Sequence, residues 1–177
     1  MAGPEVPIDV DPETGIWRTD GLPMIYLPRH FLVNNHVAIE GALGRDAYRK
    51  LLHEATARSA IQWCRAEAKT HDLTAEATFR HYFRRLSQRG WGQFSVDRLS
   101  ASRDRSGAIS LRNSVFALEL CDRGQPPLCY MFEGFMTGAF AFMLGSADPD
   151  QATRVSCREI ACAGDGLHSH CEFEFHA

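Results

Sequence analysis

Cysteine and acidic side chains in the last third of this sequence are spaced in a way that could bind a metal ion. Glu159 and Cys162 end one predicted strand and Cys171 begins the next, so a carboxylate and two thiols flank one hairpin. Zinc takes four ligands in a tetrahedron and accepts cysteine sulfur, histidine nitrogen and carboxylate oxygen. In a regular strand Glu159 and Cys162 would point to opposite faces, so the spacing predicts that the strand breaks near Ala161 and Cys162.

Spacing alone does not fix the fourth ligand of this site. The sequence offers several candidates: Cys121, Cys129, Cys157, His168 and His170. The alternative interpretation is that the cysteines are buried thiols packed as small apolar side chains, since free cysteine is among the most buried residue types. We expect a cytoplasmic protein, and the cytoplasm keeps thiols reduced, so the six cysteines are not expected to form disulfides.

An apolar segment upstream of the hairpin adds a Cys-aromatic pair, two glycines four residues apart and a Leu-Gly pair. Together with the Glu-x-x-Cys, the Gly-rich loop and the final cysteine, it resembles the 4-vinyl reductase domain family. The resemblance covers about residues 24–176. The residues that carry it are Cys129, Tyr130, Gly134, Gly138, Leu144, Gly145, Glu159, Cys162, Gly164, Gly166 and Cys171.

That family includes a protein linked to bacteriochlorophyll synthesis and the sensor domains of phenol- and xylene-responsive transcription activators, with distant relatives among vesicle-tethering subunits. In the aromatic sensors, a zinc ion supports a buried pocket for a small hydrophobic ligand. By motif position, the resemblance implies the zinc ligands Cys129, Glu159, Cys162 and Cys171, with His170 as the main alternative to Cys129. Four protein ligands would close the coordination sphere, which favours a structural zinc over a catalytic one.

Hydrophobic periodicity predicts helices first and strands afterwards. Helical spacing begins at Arg29, is interrupted at Gly41, resumes near Tyr48, and returns in a third helix capped by Asp72 or Thr74. Alternation of period two predicts strands around 94–96 and 109–111, and a further strand over 116–120 after a bulge near 113–114.

A nearly uniformly apolar helix over 128–144 and two last strands, 155–161 and 171–176, complete the predicted elements. The fold class is therefore predicted as α+β: N-terminal helices packed on an antiparallel sheet, one buried apolar helix and a C-terminal zinc-bearing hairpin. Residues 1–23 are predicted as an extended arm and 24–177 as the ligand-binding domain. Ile16 and Trp17 are possible docking points, and we expect a homodimer because related sensors pair through N-terminal segments.

Aromatic residues are abundant around the predicted apolar helix and could line a pocket for a small apolar ligand. The candidate ligand-binding residues are Tyr82, Trp91, Phe116 and Tyr130, because Tyr and Trp offer a polar tip. The alternative is that these aromatics are plain core. His81 lies beside the stripe of the third helix and could reach the pocket. A face of arginines on that helix is expected to be solvated, namely Arg80, Arg84, Arg85 and Arg89.

Composition narrows the function. The 177 residues have a net charge of −3, 45% hydrophobic and 23% charged residues, which is typical of one globular domain and carries no basic excess for direct nucleic-acid binding. No secretory signal is visible, and Glu133 interrupts the apolar helix, so we expect no membrane span.

The function predicted from these features is a zinc-containing module that binds or senses a small hydrophobic or aromatic molecule, whose identity the sequence leaves open. One alternative is an enzyme or accessory protein in tetrapyrrole (bacteriochlorophyll) vinyl reduction. The chain has no nucleotide fingerprint for a hydride source, which favours binding over catalysis, and we assign no catalytic residue. The second alternative is an assembly or scaffold subunit.

Overall fold

The computed structural model describes residues 5–102, 104–121, 126–145 and 154–177. A short turn of 3-10 helix, Ala163–Asp165, joins the last two strands. The fold is α+β with antiparallel sheets, as the sequence predicts. The elements in chain order are β1 (Asp9–Val10), β2 (Trp17–Thr19), β3 (Leu22–Met24), α1 (Arg29–Leu43), α2 (Arg45–His71), α3 (Ala75–Gln88), β4 (Gln93–Ser100), β5 (Ser106–Arg112), α4 (Val115–Leu120), α5 (Met131–Met143), β6 (Ser156–Ala161) and β7 (Cys171–His176).

The main sheet has the strand order β4-β5-β7-β6, and all its neighbouring strands are antiparallel. On β7 the side chains of Cys171, Phe173 and Phe175 are buried while their neighbours are more exposed, which is the period-two pattern of a sheet with one covered face. The pairing of β7 with β5 places Cys171, the first residue of β7, opposite Leu111. The last cysteine of the motif thus begins an inner strand of the sheet.

Helix α5 lies between the main sheet and helices α2 and α3, as predicted for the apolar helix. Its glycines allow this: a Cβ atom at Gly134 would collide with the hydroxyl of Thr56, and one at Gly138 with the carbonyl of Ala57. The Gly-x-x-x-Gly spacing therefore brings the backbones of α2 and α5 into close contact. Among the described residues, no helix is long and apolar enough to cross a membrane.

The third helix begins where its capping residue predicts. The hydroxyl of Thr74 accepts a hydrogen bond from the backbone N–H of Ala77 at 3.3 Å, so Thr74 and not Asp72 is the N-cap. Asp72 instead ends α2 in the left-handed conformation. The apolar stripe of α3 packs into the core through Phe79, Tyr82, Phe83 and Leu86.

The prediction of a strand over 116–120 is wrong. These residues belong to α4, because the hydroxyl of Ser114 accepts hydrogen bonds from the N–H groups of Phe116 at 3.2 Å and Ala117 at 3.4 Å. Such an N-cap satisfies two backbone donors that a helix start would leave free. The register irregularity of this sheet region lies in β4, between Val96 and Arg98.

Two further segments differ from the sequence prediction. Helix α1 continues through Gly41 to Leu43, where the sequence predicted an interruption. Residues 9–24 form a three-stranded sheet, β1-β2-β3, where the sequence predicted an extended arm without regular pairing. Asp20 and Gly21 both adopt positive φ in the tight turn between β2 and β3. The domain boundary at residue 23 stays a prediction.

Candidate functional site

The structure brings together the four residues that the motif designates. Cys129 lies just before α5, Glu159 is on β6, Cys162 follows β6, and Cys171 begins β7. One ligand-type atom from each lies within 4.8 Å of the others. Tetrahedral zinc with Zn–S bonds of about 2.3 Å places its sulfur ligands roughly 3.8 Å apart, so the cluster has the right size for one ion.

A local irregularity in the hairpin allows Glu159 and Cys162 to face the same point. The pairing of β6 with β7 shifts register between Glu159 and Ala161, and the side chain of Ile160 is exposed. Cys162 lies outside the paired strand, where the 3-10 turn begins. This is the strand break that the spacing predicted.

Backbone and side-chain donors surround the cluster. The sulfur atoms of Cys129 and Cys171 are 3.5 Å apart, and the hydroxyl of Ser114 is 2.9 Å from the Cys129 sulfur. The N–H of Ala163 donates to the Cys171 sulfur at 3.3 Å, while the N–H of Cys129 donates to Glu159 Oε2 at 2.8 Å. Donors aimed at sulfur and carboxylate oxygen stabilise the anionic forms that bind metals.

Burial and mutual contact perturb the acidity of the cluster. Cys129 and Cys171 are fully buried and Cys162 nearly so. Hydrogen bonds from the thiols of Cys129 and Cys171 hold the pKa of Cys162 far below its usual range, while burial raises the pKa of Cys129. Burial, and then the charge of Cys162, raise the pKa of Glu159 to about 8. The second oxygen of Glu159, Oε1, is buried without a hydrogen-bond partner.

The other candidates for the fourth ligand lie outside this cluster. His168 pairs with Asp165 at 2.7 Å, and His170 pairs with Glu172 at 3.0 Å. The thiol of Cys157 contacts Met136, and Cys121 is exposed. The geometry therefore favours Cys129 over His170 as the fourth member of the group.

An ion pair between buried Glu133 and Arg49, whose side chain is 36% exposed, adjoins the cluster. Glu133, the acidic residue of the apolar helix, is 2% exposed and accepts hydrogen bonds from both Nε and Nη2 of Arg49, at 3.0 Å and 2.6 Å. Glu133 Oε1 also accepts the backbone N–H of Glu159 at 3.0 Å. Glu133 thus connects α2, α5 and the strand that carries a motif carboxylate.

The four predicted ligand-binding residues belong to one aromatic network around α5. Trp91 packs edge-on against Phe132 and Phe135, Tyr82 against Phe135, and Phe116 against Phe132. Tyr130 joins through His36, whose ring contacts both Phe116 and Tyr130. Its hydroxyl donates to Glu40, which pairs with Arg45, so the polar tip of Tyr130 is already engaged.

Of these four residues, Tyr130 lines one of two cavities at the surface of the described part of the chain, and the other three line neither. The first, of about 740 Å³, lies between α1 and the segment before α5, with Val33, His36 and Leu128 among its walls. The second, of about 730 Å³, lies over α3 and β4 and includes Phe83 and Phe94. Tyr82 and Phe116 lie in the packed interior, and Trp91 is partly buried against it.

Sequence reasoning missed Trp63 as a member of this network. Its ring packs at 4.9 Å from Tyr82, and it is 9% exposed. The indole N–H of Trp63 is buried and has no hydrogen-bond partner. A hydrogen-bond donor without a partner inside an aromatic core is unusual, because nearly all buried polar groups are paired.

The fold is similar to those of two solved structures. The phenol-responsive sensory domain of the transcription activator PoxR, solved with phenol, matches with a TM-score of 0.78 and 17% identity, covering 96% of this chain and 84% of that chain. A trafficking protein particle complex subunit 3 from Naegleria fowleri, covalently bound to palmitic acid, matches with a TM-score of 0.55 and 15% identity, covering 84% and 93% respectively. At these identities the likeness shows the fold.

The chain is thus an α+β domain whose fold is shared with both of these solved structures. The chain belongs to the family described as a domain of unknown function, DUF5943, whose model matches residues 2–97. That match ends before the cysteine cluster, so membership of the 4-vinyl reductase family stays a prediction. None of the curated proteins matches the sequence significantly.

Proposed function

We propose that this chain is a zinc-containing module that binds a small hydrophobic or aromatic molecule and acts as its sensor. The observation that carries the proposal is the likeness, over 96% of the chain, to a sensory domain solved with phenol. The aromatic network around α5 supports it, because ligand sites for small molecules are lined mostly by apolar and aromatic side chains with a few polar groups. The unpaired indole N–H of Trp63 is such a polar group.

The zinc part of the proposal is supported by the chemistry of the donor set. Three cysteine sulfurs select zinc over magnesium or calcium, and the carboxylate supplies a fourth ligand. The unpaired Oε1 of Glu159 is the atom that such an ion would satisfy. A zinc ion would link the start of α5 to the β6–β7 hairpin, and so would stabilise one side of the aromatic network. Its ligands would be Cys129, Glu159, Cys162 and Cys171.

A ligand should raise the melting temperature of the protein. Binding at 100 times its dissociation constant adds about 2.7 kcal/mol of stability by mass action. For a domain of this size that corresponds to a rise of about 5–11 °C. A thermal-shift screen of phenols, fatty acids and tetrapyrroles on zinc-loaded protein measures this directly. No shift with any of these compounds would contradict the proposed binding function.

The aromatic network can be separated from the zinc by substitution. Trp91→Ala should abolish the ligand-induced shift while leaving the zinc content unchanged, because Trp91 packs on Phe132 and Phe135 rather than on the cysteines. Leu51→Ala is the matched control, since Leu51 is an exposed apolar residue of α2 that lies outside the network. Equal ligand shifts in both variants would place the binding site elsewhere.

We also propose that the module is a homodimer. Apolar side chains are exposed around the N-terminal sheet: Ile16 and Trp17 are 39% and 40% exposed, and Tyr26, which stacks on Trp17, is 86% exposed. Burying such a surface against a second copy is favourable. Light scattering at micromolar concentration should give twice the chain mass of 19.8 kDa, and Trp17→Ser with Tyr26→Ser should shift the protein towards monomer. A wild-type monomer would contradict the proposal.

An assembly subunit is the second candidate function. The likeness to a trafficking-complex subunit favours it, and so do exposed apolar side chains on α1 and α4, including Phe31, Val37 and Leu118. This function predicts no specific response to small aromatics. Turnover of a vinyl tetrapyrrole with added reductant would instead favour the enzymatic alternative.

A further inference from the structure

Six of the seven buried side-chain atoms that lack a hydrogen-bond partner in the described part of the chain belong to one cluster, formed by the turn between β2 and β3, helix α2 and helix α3. The seventh is Oε1 of Glu159 in the cysteine cluster. Native structures pair nearly all buried polar groups with protein atoms or ordered water, so this concentration marks a place where water or a polar ligand group can bind. The six atoms are Asp20 Oδ2, Trp63 Nε1, Glu67 Oε1, Arg85 Nε, Arg89 Nε and Arg89 Nη2.

The two carboxylates of this cluster are each engaged through one oxygen. Asp20 Oδ1 accepts from Arg85 at 2.9 Å and lies 3.4 Å from His71 Nε2. Glu67 Oε2 lies 2.9 Å from His81 Nε2 and 3.3 Å from His71 Nε2. The sequence predicted that the arginine face of α3 would be solvated, yet the side chain of Arg85 is only 12% exposed.

The residue types of this cluster are those of a cation site, but the position of the proton on His81 disfavours cation binding. Four atoms of the types that bind metals lie within 4.8 Å of one another, one each from Asp20, Glu67, His71 and His81. However, Arg84 Nη2 lies 2.8 Å from His81 Nδ1, and a guanidinium can only donate. Nδ1 must therefore accept, and the proton of the neutral ring lies on Nε2, facing Glu67.

A metal ligand needs the opposite arrangement in the imidazole ring, with Nε2 free and Nδ1–H donating to an acceptor. Burial, and then Arg85, lower the pKa of His81 to about 4, so the ring is neutral near pH 7. Two arginines, Arg85 and Arg89, face the carboxylates of Asp20 and Glu67 here, while the side chain of Arg84 is exposed. The protonated Nε2 of His81 disfavours a cation, and Arg89, whose Nε and Nη2 have no acceptor, can bind an anion.

Arg89 has hydrogen-bond donors along one edge of its guanidinium group that no acceptor occupies. Its Nε and Nη2 form one side of the guanidinium fork, and both are buried without an acceptor. In Arg49 the corresponding two nitrogen atoms donate to the carboxylate of Glu133, Nε to Oε2 and Nη2 to Oε1. Arg89 lacks such a carboxylate partner. The guanidinium carbon of Arg89 lies 5.3 Å from the centre of the Trp63 ring, whose N–H is also unpaired.

This edge lies at one end of the aromatic network. The ring of Trp63 is 4.9 Å from Tyr82, Tyr82 is 6.1 Å from Phe135, and Phe135 is 5.9 Å from Trp91. An anionic group at Arg89 would therefore adjoin the aromatic side chains proposed to bind the ligand ring.

We propose that Arg89 and the indole N–H of Trp63 bind the carboxylate of a small aromatic acid whose ring packs on this network. The inference rests on the proposed binding function and narrows its ligand from hydrophobic molecules in general to aromatic carboxylates. The arginine fork matches the two oxygens of a carboxylate, and the Trp63 N–H adds a third donor. The competing possibility within the chain is that Glu67 or Asp20 turns its unpaired oxygen onto Arg89.

Calorimetric titration of the zinc-loaded protein at pH 7.5 with benzoate and with benzyl alcohol, a neutral molecule of similar size, tests the proposal. We expect wild type to bind both compounds and to bind benzoate about tenfold more tightly. Arg89→Gln should lose that tenfold preference while its affinity for benzyl alcohol changes less than about twofold. Trp63→Phe, which keeps an aromatic ring and removes the N–H, should lose part of the preference, so it carries the test if Arg89→Gln does not fold.

The control variant is Arg58→Gln, because Arg58 is an exposed arginine of α2 outside the cluster. Binding of benzyl alcohol without any preference for benzoate, or equal benzoate affinity in Arg89→Gln and Arg58→Gln, would overturn the carboxylate assignment and leave the binding function intact. The second of these results is also what an internal pair between Arg89 and Glu67 would give. Failure of wild type to bind either compound would overturn this inference, while the thermal-shift screen of phenols, fatty acids and tetrapyrroles decides the proposed function separately.

Discussion

Cys162→Ser is expected to remove the zinc ion and to lower the free energy of unfolding by about 4 kcal/mol. For a domain of this size the melting temperature should fall by about 8–16 °C. The physical reason is that the ion would join the start of α5 to both strands of the hairpin, and the variant loses one of its sulfur ligands. Elemental analysis and thermal denaturation of the same preparation measure the two effects.

Cys121→Ser is the matched control for this experiment. Cys121 is exposed and outside the cluster, so its variant should keep both the metal content and the melting temperature of the wild type. If Cys162→Ser behaves like Cys121→Ser, the cysteines are packed thiols and the zinc proposal fails. A wild-type protein that contains no zinc after careful preparation would contradict the zinc proposal equally.

Arg49→Met is expected to lower the free energy of unfolding by about 3 kcal/mol, a fall in melting temperature of about 6–12 °C. The substitution leaves the carboxylate of Glu133, which is 2% exposed, without its cationic partner in the interior. Glu133 also accepts the backbone N–H of Glu159, so the loss should reach the strand beside the cysteine cluster. Chemical denaturation monitored by circular dichroism measures the change.

Two further variants test whether the lost ion pair is the cause of that loss of stability. Arg58→Met removes an exposed arginine from the same helix and should change stability by less than about 0.5 kcal/mol. The double variant Arg49→Met with Glu133→Gln should recover much of the stability, since it leaves no buried charge unpaired and the amide oxygen can still accept the N–H of Glu159. Equal stability of Arg49→Met and Arg58→Met would show that the pair contributes little.

The sequence predicted the elements whose pattern is local. Helix α3 and strand β7 follow from side-chain periodicity, and the strand break at Ala161 followed from the need to bring Glu159 and Cys162 to one point. Residues 116–120 were misassigned because their alternation of apolar side chains outweighed the capping signal of Ser114. A six-residue helix is too short to show a clear helical period.

Contacts between distant segments could not be predicted in this way. The Arg49–Glu133 pair joins residues 84 positions apart, and Asp20 meets Arg85 across 65 positions. Trp63 gave no signal because the feature that marks it, an unpaired buried N–H, depends on packing against Tyr82 and Arg89. The cysteine cluster was predictable because its spacing matched a family pattern. No sequence motif marks the unpaired donors of Arg89, so that site could not be predicted.

Native mass spectrometry of zinc-loaded protein, recorded with and without an aromatic ligand such as benzoate, tests most directly whether this chain is a zinc-containing binding module. We predict the mass of two chains of 19.8 kDa with one zinc ion on each, and a further increase equal to one ligand molecule per chain. In the Cys162→Ser variant both added masses should disappear, because the ion would brace the wall against which the ligand packs. A wild-type protein that carries no metal and gains no mass from benzoate, phenol or a fatty acid would contradict this prediction.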